Sequence, residues 1–279
     1  MDEVFVRKST EDPKFVLDWL KGFKSDIGYW EPFVTDVSHG CDADVEVMGF
    51  ANVAQQTDFL DNYREASYDR FFWDTPEQGQ KDLPHVAGAH SMGAFLLLEH
   101  LMDDEKAKIF RNNYGALFLA NPFLGDPYHD RILCRAFSKT LGRHKPTGST
   151  KLERWLGPEI TDFNENPTHM QSITLHDEAA KLLAAIQEKG GLSPVLDGMP
   201  IAIIAGENDP ACDNEKIYAL GEVIGVDVYT YLDTAHNPLL CHSDALDHFK
   251  SWAFNAAKYA HPKPPVYEAA TYEAAREPV

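Results

Sequence analysis

The chain has 279 residues, of which 44% are hydrophobic and 25% charged, an ordinary composition for a globular protein with a sizeable buried core. Its formal charge of −19 at pH 7 comes without a basic stripe, which argues against nucleic-acid binding and disfavours docking on anionic lipid surfaces. The start of the chain, Met1–Phe5, does not resemble a signal peptide, and no apolar run approaches transmembrane length, so we expect a cytoplasmic protein without an integral membrane segment.

The sequence pattern predicts an alternation of strands and helices. The first 42 residues give mixed signals, with an amphipathic helix predicted near 13–23 beside an early antiparallel strand or hairpin. Further strands are predicted near 44–48, 68–74, 85–90, 115–120, 200–205 and 226–232. Further helices are predicted near 53–64, 93–112, 213–224 and 242–259. This alternation predicts an α/β fold with a mostly parallel sheet and helices on both faces.

One connection in this pattern is unusually short. Only residues 75–84 separate the strands predicted at 68–74 and 85–90, whereas a parallel crossover normally needs a dozen or more residues, usually a helix. Two explanations are open. Either the crossover is reduced to a bare loop, which we favour and which would leave one face of the sheet thinly covered, or one of the two strands is misassigned.

The most informative segment is Val86–Phe95, a short apolar strand that leads through Ser91 into an apolar helix. A serine on such a tight, strained turn needs small residues two positions before and after it. Ala89 and Gly93 meet this need, with alanine in place of the first glycine of Gly-x-Ser-x-Gly. The helix that follows can stabilise developing negative charge with its first amides. The segment therefore predicts a nucleophile elbow at Ser91.

Two later segments place a chemically matched side chain just past a strand. The branched aliphatic run at 199–205 leads to Asp209, and the alternating strand at 226–232 leads to His236. A serine hydroxyl is a poor nucleophile until a base takes its proton, histidine is that base near neutral pH, and a carboxylate fixes the histidine tautomer. Ser91, Asp209 and His236 are therefore predicted as a catalytic triad in the chain order of α/β-hydrolases.

These motifs resemble those of the α/β-hydrolase superfamily, and most closely those of lysophospholipase and monoacylglycerol-lipase-like serine hydrolases. The resemblance rests on Ala-His-Ser-Met-Gly-Ala at 89–94, Ala-Gly-Glu-Asn-Asp-Pro at 205–210 and Ala-His-Asn-Pro at 235–238. It implies the α/β-hydrolase fold and hydrolysis of a small-molecule or lipid ester through an acyl-enzyme, without a metal or a cofactor.

The same motif logic predicts two donors of an oxyanion hole. One is the backbone N–H of Met92, the residue after the nucleophile, and the other comes from the loop after an early strand. The strand at 44–48 makes Phe50 N–H the second candidate. The family usually begins this loop with His-Gly, where this chain has Met48-Gly49.

The alternation stops between residues 121 and 198, where the superfamily inserts a lid or cap. The resemblance therefore implies an α/β-hydrolase core at 1–122 and 199–260, a helical cap insertion at 123–198 and a C-terminal tail at 261–279. The apolar candidates for a substrate pocket in this insertion, each with ordinary cap packing as the alternative role, are Phe123, Leu124, Phe137, Trp155 and Leu156.

The four cysteines are scattered, at Cys41, Cys134, Cys212 and Cys241, without a C-x-x-C spacing. They predict neither a metal site nor a disulfide framework. Because Cys212 and Cys241 lie near the two predicted catalytic loops, a disulfide between them stays open.

Three functions stay open on the sequence alone. The first is a lipid-type esterase, the second is another α/β-hydrolase chemistry such as peptide, lactone or thioester cleavage, and the third is a non-catalytic scaffold that binds a ligand or a partner. The non-catalytic scaffold gains support from three departures from the family pattern: the alanine at position 89, the Met48-Gly49 loop and the short connection. The sequence does not indicate an oligomeric state.

Overall fold

The computed structural model describes residues 3–22, 27–50, 59–73, 82–125 and 169–260. Within these ranges seven strands form one sheet, in the order β1-β3-β2-β4-β5-β6-β7. The strands are β1 (Glu3–Lys8), β2 (Phe15–Leu20), β3 (Ala43–Phe50), β4 (His85–His90), β5 (Ala116–Ala120), β6 (Ile201–Gly206) and β7 (Val228–Tyr231). Only β1 runs antiparallel to its neighbour. The predicted mostly parallel sheet is therefore confirmed.

Helices cover both faces of the sheet. The helices of the described ranges are α1 (Glu31–Cys41), α2 (Phe59–Tyr68), α3 (Met92–His100), α4 (Asp104–Asn113), α5 (His169–Lys189), α6 (Asn214–Ile224), α7 (Pro238–Cys241) and α8 (Ser243–Ala256). Along β5, Leu117 and Leu119 point into the layer that contains α3, and Phe118 points into the layer that contains α8, as the pleat requires. Among the described helices, none combines the length and the apolar character that crossing a bilayer requires.

The predicted helix near 13–23 is wrong, because Phe15–Leu20 forms the strand β2 between β3 and β4. All six of its residues are buried, and a strand that is buried on both faces shows no alternation of apolar and polar residues. Its one acidic residue, Asp18, accepts hydrogen bonds from Arg70 Nη2 at 2.6 Å and from Tyr114 Oη at 2.9 Å. A partnered carboxylate can therefore lie inside the sheet.

The predicted strand at 68–74 is also wrong. Its described residues, 68–73, complete α2 and continue into a π-helical turn at Asp69–Trp73. Arg70 reaches from this turn to Asp18 in β2, while Phe71 and Phe72 pack in the core against α4. The short connection is therefore explained by strand misassignment, and α2 is the helix that crosses from β3 to β4.

The predicted cap lies partly outside the described residues, because 126–168 and the tail 261–279 are not among them. The part that is described does not stand apart from the sheet. Leu175, Ala179 and Ile186 of α5 pack in the same core layer as α3, and Arg64 of α2 binds Glu178 of α5 at 2.8 Å. The cap prediction accordingly stays a prediction for 126–168, whereas α5 is a layer of the core.

We expect the fold to lose stability in mild acid because burial lowers the pKa of two histidines, His90 and His100. Burial, as the largest cause, lowers the pKa of His90 and of His100 from 6.5 to about 3. Below pH 6.5 the unfolded chain therefore binds more protons than the folded chain, so stability present at pH 7 declines as the pH falls toward 3. From pH 7 to pH 5 the free energy of unfolding should decrease by about 2 kcal/mol per histidine.

Urea unfolding of His100→Gln tests this expectation, with His39→Gln on the exposed side of α1 as the control. Between pH 7 and pH 5 the His100→Gln variant should lose less stability than the wild-type chain, and the control should behave like the wild type. If the pH dependence of stability is the same in His100→Gln as in the wild type, then His100 binds its proton equally well in the folded and in the unfolded chain.

Candidate active site

Ser91 forms the turn between β4 and α3 with φ 55° and ψ −122°. This positive φ is a strained conformation for a residue with a side chain, and it is the conformation that a nucleophile elbow imposes. Two residues after Ser91 there is no space for a side chain, since a Cβ on Gly93 would lie 2.6 Å from the carbonyl oxygen of Leu20. Ala89, on the other side of the turn, is fully buried in the core. Alanine is therefore small enough for the position that is usually glycine.

The structure brings the three predicted triad residues together at the carboxyl edge of the sheet. His236 Nε2 lies 2.9 Å from Ser91 Oγ. On the other side of the ring, His236 Nδ1 lies 2.9 Å from Asp209 Oδ2 and 3.1 Å from Oδ1. The order hydroxyl, imidazole, carboxylate is the arrangement in which histidine accepts the serine proton while the carboxylate stabilises the imidazolium.

The Asp209 carboxylate is fixed by more than His236. Its Oδ1 accepts the backbone N–H of Ala211 at 2.7 Å and that of Cys212 at 3.0 Å, and Asn121 Nδ2 donates to Oδ2. Burial favours the neutral acid and is the largest single effect, but the charge of His236 and the bonds from His236, Ala211 and Cys212 together lower the pKa of Asp209 below its ordinary value. Asp209 is therefore a carboxylate at neutral pH.

Asn121 was not predicted from the sequence. It follows β5 directly, has φ 44° and is completely buried. Nothing in the pattern Ala120-Asn121-Pro122 distinguishes it from an ordinary turn, in which asparagine is common. Its contact with Asp209 depends on the adjacency of β5 and β6, which sequence spacing does not reveal.

His90, next to the nucleophile, positions the histidine loop. Its Nε2 donates to the backbone carbonyl of His236 at 2.8 Å, and the two rings lie 4.7 Å apart between centroids. Burial, followed by the charge of His236, lowers the pKa of His90 to about 3. His90 is thus neutral at pH 7 and ties β4 to the loop that carries His236.

The two predicted oxyanion donors lie in different parts of the sheet. Met92 is the first residue of α3, directly after Ser91. Phe50 ends β3 and pairs with Glu3 of the edge strand β1, and β2 separates β3 from β4. Gly22, in the segment after β2, lies beside the nucleophile, because a Cβ on Gly22 would lie 2.7 Å from Ser91 Cβ. The residues directly after Phe50 lie outside the described ranges.

The beginning of the segment after β2 is held by a buried lysine and a buried tyrosine. Tyr63 Oη of α2 donates to the backbone carbonyl of Lys21 at 2.6 Å. The Lys21 side chain is buried and crosses Gly49, where a Cβ would lie only 2.0 Å from Lys21 Cε. Gly49 thus provides the space in which Lys21 lies, rather than the start of the loop beside the nucleophile.

Gly22→Ala is expected to reduce kcat for ester hydrolysis by about 100-fold, because the added methyl group would displace Ser91 Oγ or His90 by a large fraction of an ångström. The contacts it would make are 2.7 Å to Ser91 Cβ, 2.9 Å to His90 Nδ1 and 3.2 Å to Ser91 Oγ. Gly40→Ala in α1 is the matched control, since its Cβ would meet only the flexible side chain of Lys250. Equal kcat values for the two variants would contradict a role for Gly22 at the site.

The predicted pocket residues are only partly described. Phe123 and Leu124 are buried just after β5, and Phe123 N–H donates to the backbone carbonyl of Ser91 at 3.1 Å. Phe137, Trp155 and Leu156 lie outside the described residues. Phe123 is therefore anchored directly to the elbow.

A third side chain lies beside the Asp209–His236 pair. Cys212 Sγ is 3.8 Å from His236 Nδ1 and donates to the backbone carbonyl of Asn121 at 3.2 Å. Cys212 and Cys241 are not joined to each other, so the disulfide left open by the sequence is not formed. Asp209, Cys212 and His236 could together hold a metal ion.

No family model matches the sequence, and no curated protein does. Solved structures match over nearly the whole chain. A soluble variant of monoglyceride lipase from Saccharomyces cerevisiae is similar with a TM-score of 0.62 and 12% identity, covering 92% of each chain. The monoacylglycerol lipase of Paleococcus ferrophilus has a TM-score of 0.58 and 14% identity over 93% of this chain and all of the other.

A third similar structure is an α/β hydrolase enzyme from the metagenome of lagoon sediments at Mar Chica, Morocco, with a TM-score of 0.54 and 11% identity over 93% of this chain and 97% of the other. At such identities the comparison establishes the fold alone. The chain therefore has the α/β-hydrolase fold, as the elbow motif predicted.

Proposed function

We propose that the protein is a serine hydrolase that cleaves carboxylic esters through an acyl-enzyme. The observation that carries this proposal is the continuous chain of contacts from Ser91 Oγ through His236 to the Asp209 carboxylate, at an elbow whose serine has a positive φ. A purely structural serine needs neither the strained backbone nor an imidazole aligned with its hydroxyl.

In the proposed reaction Ser91 Oγ attacks the ester carbonyl while His236 Nε2 takes the serine proton. Asp209 keeps the remaining ring proton on Nδ1 and stabilises the imidazolium. The proton then passes to the departing alcohol, and a water molecule activated by His236 hydrolyses the acyl-enzyme.

The oxyanion would be stabilised by Met92 N–H and by a second backbone N–H near Gly22, in the segment after β2. We prefer this segment to Phe50, because β2 is the strand next to β4 and Gly22 contacts Ser91. Two backbone N–H groups aimed at the developing charge are the usual source of such stabilisation. Phe50 was the candidate from the sequence because it follows the early strand predicted at 44–48.

A lipid-type ester, such as a monoacylglycerol or a lysophospholipid, is the substrate class that we favour. Two similar structures are named as monoacylglycerol lipases, and the described wall after β5 is apolar, with Phe123 and Leu124. The charge of −19 favours a neutral ester over an anionic lipid surface. The cytoplasmic location stays a prediction from the sequence.

A substrate panel tests this proposal against the two alternatives. Purified protein is assayed with p-nitrophenyl esters of increasing acyl length, with a monoacylglycerol, with an acyl thioester and with an aminoacyl anilide. We expect the highest kcat/KM for the esters. A preference for the anilide or the thioester would show that the protein catalyses amide or thioester hydrolysis rather than ester hydrolysis. If the protein neither turns over any substrate nor reacts with a fluorophosphonate, it is a non-catalytic scaffold.

A further inference from the structure

Cys212 has no role in the proposed ester hydrolysis, yet its thiol is placed beside the triad. The side-chain ligand atoms of Asp209, Cys212 and His236 all lie within 4.8 Å of one another, and no other trio of this kind occurs in the ranges that the structure describes. Cys212 is 1% exposed and Asp209 is 7% exposed. A sulfur, an imidazole nitrogen and a carboxylate oxygen form a donor set that suits zinc.

We propose that Asp209, Cys212 and His236 form an inhibitory site for a thiophilic divalent cation such as Zn²⁺ or Cd²⁺. The inhibitory part rests on the proposed function, whereas cation binding does not. The sequence predicted no metal site because these three residues are not spaced as a metal motif, and the fold alone brings them together.

The distances suit the proposed ligation. Tetrahedral zinc with ordinary bond lengths holds its nitrogen and sulfur ligands about 3.5 Å apart, and its nitrogen and oxygen ligands about 3.4 Å apart. In the structure His236 Nδ1 is 3.8 Å from Cys212 Sγ and 2.9 Å from Asp209 Oδ2. The sulfur therefore needs to approach slightly, and the carboxylate needs to retreat by about half an ångström. Both adjustments are within the reach of side-chain rotation.

The proton balance explains why binding would inhibit. The cation displaces two protons, but only the proton of the Cys212 thiol is released to solvent. The single ring proton of neutral His236 leaves Nδ1 and is carried on Nε2 instead. A neutral imidazole that binds a metal through Nδ1 carries its remaining proton on Nε2. Nε2 then faces Ser91 Oγ as a donor and can no longer accept the serine proton. The cation thus holds His236 in the tautomer that is inactive for the proposed reaction.

A catalytic role for the same cation is disfavoured by the ligands themselves. Two of the three have roles in the proposed mechanism, since His236 transfers the serine proton and Asp209 orients its ring, so cation binding and turnover exclude each other. Removal of the cation by a chelator should consequently restore activity in full.

The first experiment measures ester hydrolysis in buffered ZnCl₂, with each variant normalised to its own rate without metal. Wild-type protein should be inhibited, and EDTA should reverse the inhibition. Cys212→Ser should raise the zinc concentration for half-inhibition by about tenfold or more, because the soft ligand is lost. Cys241→Ser, which removes an exposed thiol outside the cluster, is the matched control and should respond like the wild type. Equal sensitivity of the wild type and Cys212→Ser would overturn the proposal.

The second experiment detects binding without activity. Ser91→Ala is titrated with CdCl₂, and the ultraviolet absorption of the cadmium–thiolate bond is followed. One equivalent of Cd²⁺ should bind to Ser91→Ala. The absorption signal should be absent from the double variants that combine Ser91→Ala with Cys212→Ser or with Cys212→Ala. A signal that persists without Cys212, or no signal at all, overturns the site. Cys212-dependent binding in a protein that hydrolyses no ester would retain the site and reject the proposed function.

Discussion

Ser91→Ala should reduce kcat for ester hydrolysis by at least about 10⁴-fold, the size of effect found when a triad nucleophile is removed. The substitution deletes only Oγ, which contacts His236 Nε2 at 2.9 Å. It leaves the backbone bonds of the elbow unchanged, including Ser91 N–H to the carbonyl of Ala120 at 3.0 Å. The thermal unfolding midpoint should therefore stay close to that of the wild type.

Covalent labelling provides the second measurement for Ser91. A fluorophosphonate probe should label the wild-type protein and not the Ser91→Ala variant. Ser243→Ala, at the exposed start of α8, is the matched control and should retain both activity and labelling. Full turnover by Ser91→Ala would remove this residue from the nucleophile role.

Asp209→Asn should lower kcat by about 10⁴-fold with little change in KM, because the loss lies in proton transfer and not in substrate binding. The new amide can present an N–H to His236 Nδ1, where the carboxylate now accepts at 2.9 Å. The ring proton would then move to Nε2, and His236 could not take the proton of Ser91.

The control for this substitution lies in the same loop. Asp213 caps α6 by accepting the backbone N–H of Glu215 at 3.0 Å, so Asp213→Asn alters charge and a helix cap without touching His236. Its kcat should remain within a few-fold of the wild type, since asparagine also caps helices well. A comparable loss of kcat in both variants would indicate general disturbance of the loop rather than a role in catalysis.

The meeting of Ser91, Asp209 and His236 could be predicted from the sequence because each residue follows a strand with a clear signal. The strands at 85–90, 200–205 and 226–232 correspond to β4, β6 and β7, and parallel strands bring their carboxyl ends to one edge. Ser91, Asp209 and His236 therefore needed only correct strand assignments to meet.

The loop after β2 could not be placed in the same way. Phe15–Leu20 is buried on both faces and carries Asp18 in its centre, so its pattern does not distinguish a strand from a helix. Because β2 was predicted as a helix, the strand at 44–48 was the early strand from which the second oxyanion donor, Phe50, was expected. The contacts of Asn121 and Cys212 could not be predicted for another reason. They arise between loops, and no local sequence pattern encodes the relative positions of these loops.

The hydrogen bond from Tyr63 to the carbonyl of Lys21 bears on how this protein can change over evolutionary time. Tyr63 lies on a helix whose outward positions, such as Asp61 and Glu65, are exposed and free to drift. Its hydroxyl nevertheless fixes the segment that leads to Gly22. Selection for turnover should therefore act on Tyr63 more strongly than on the outer surface of α2, so a mutational library that varies α2 should keep Tyr63 constant.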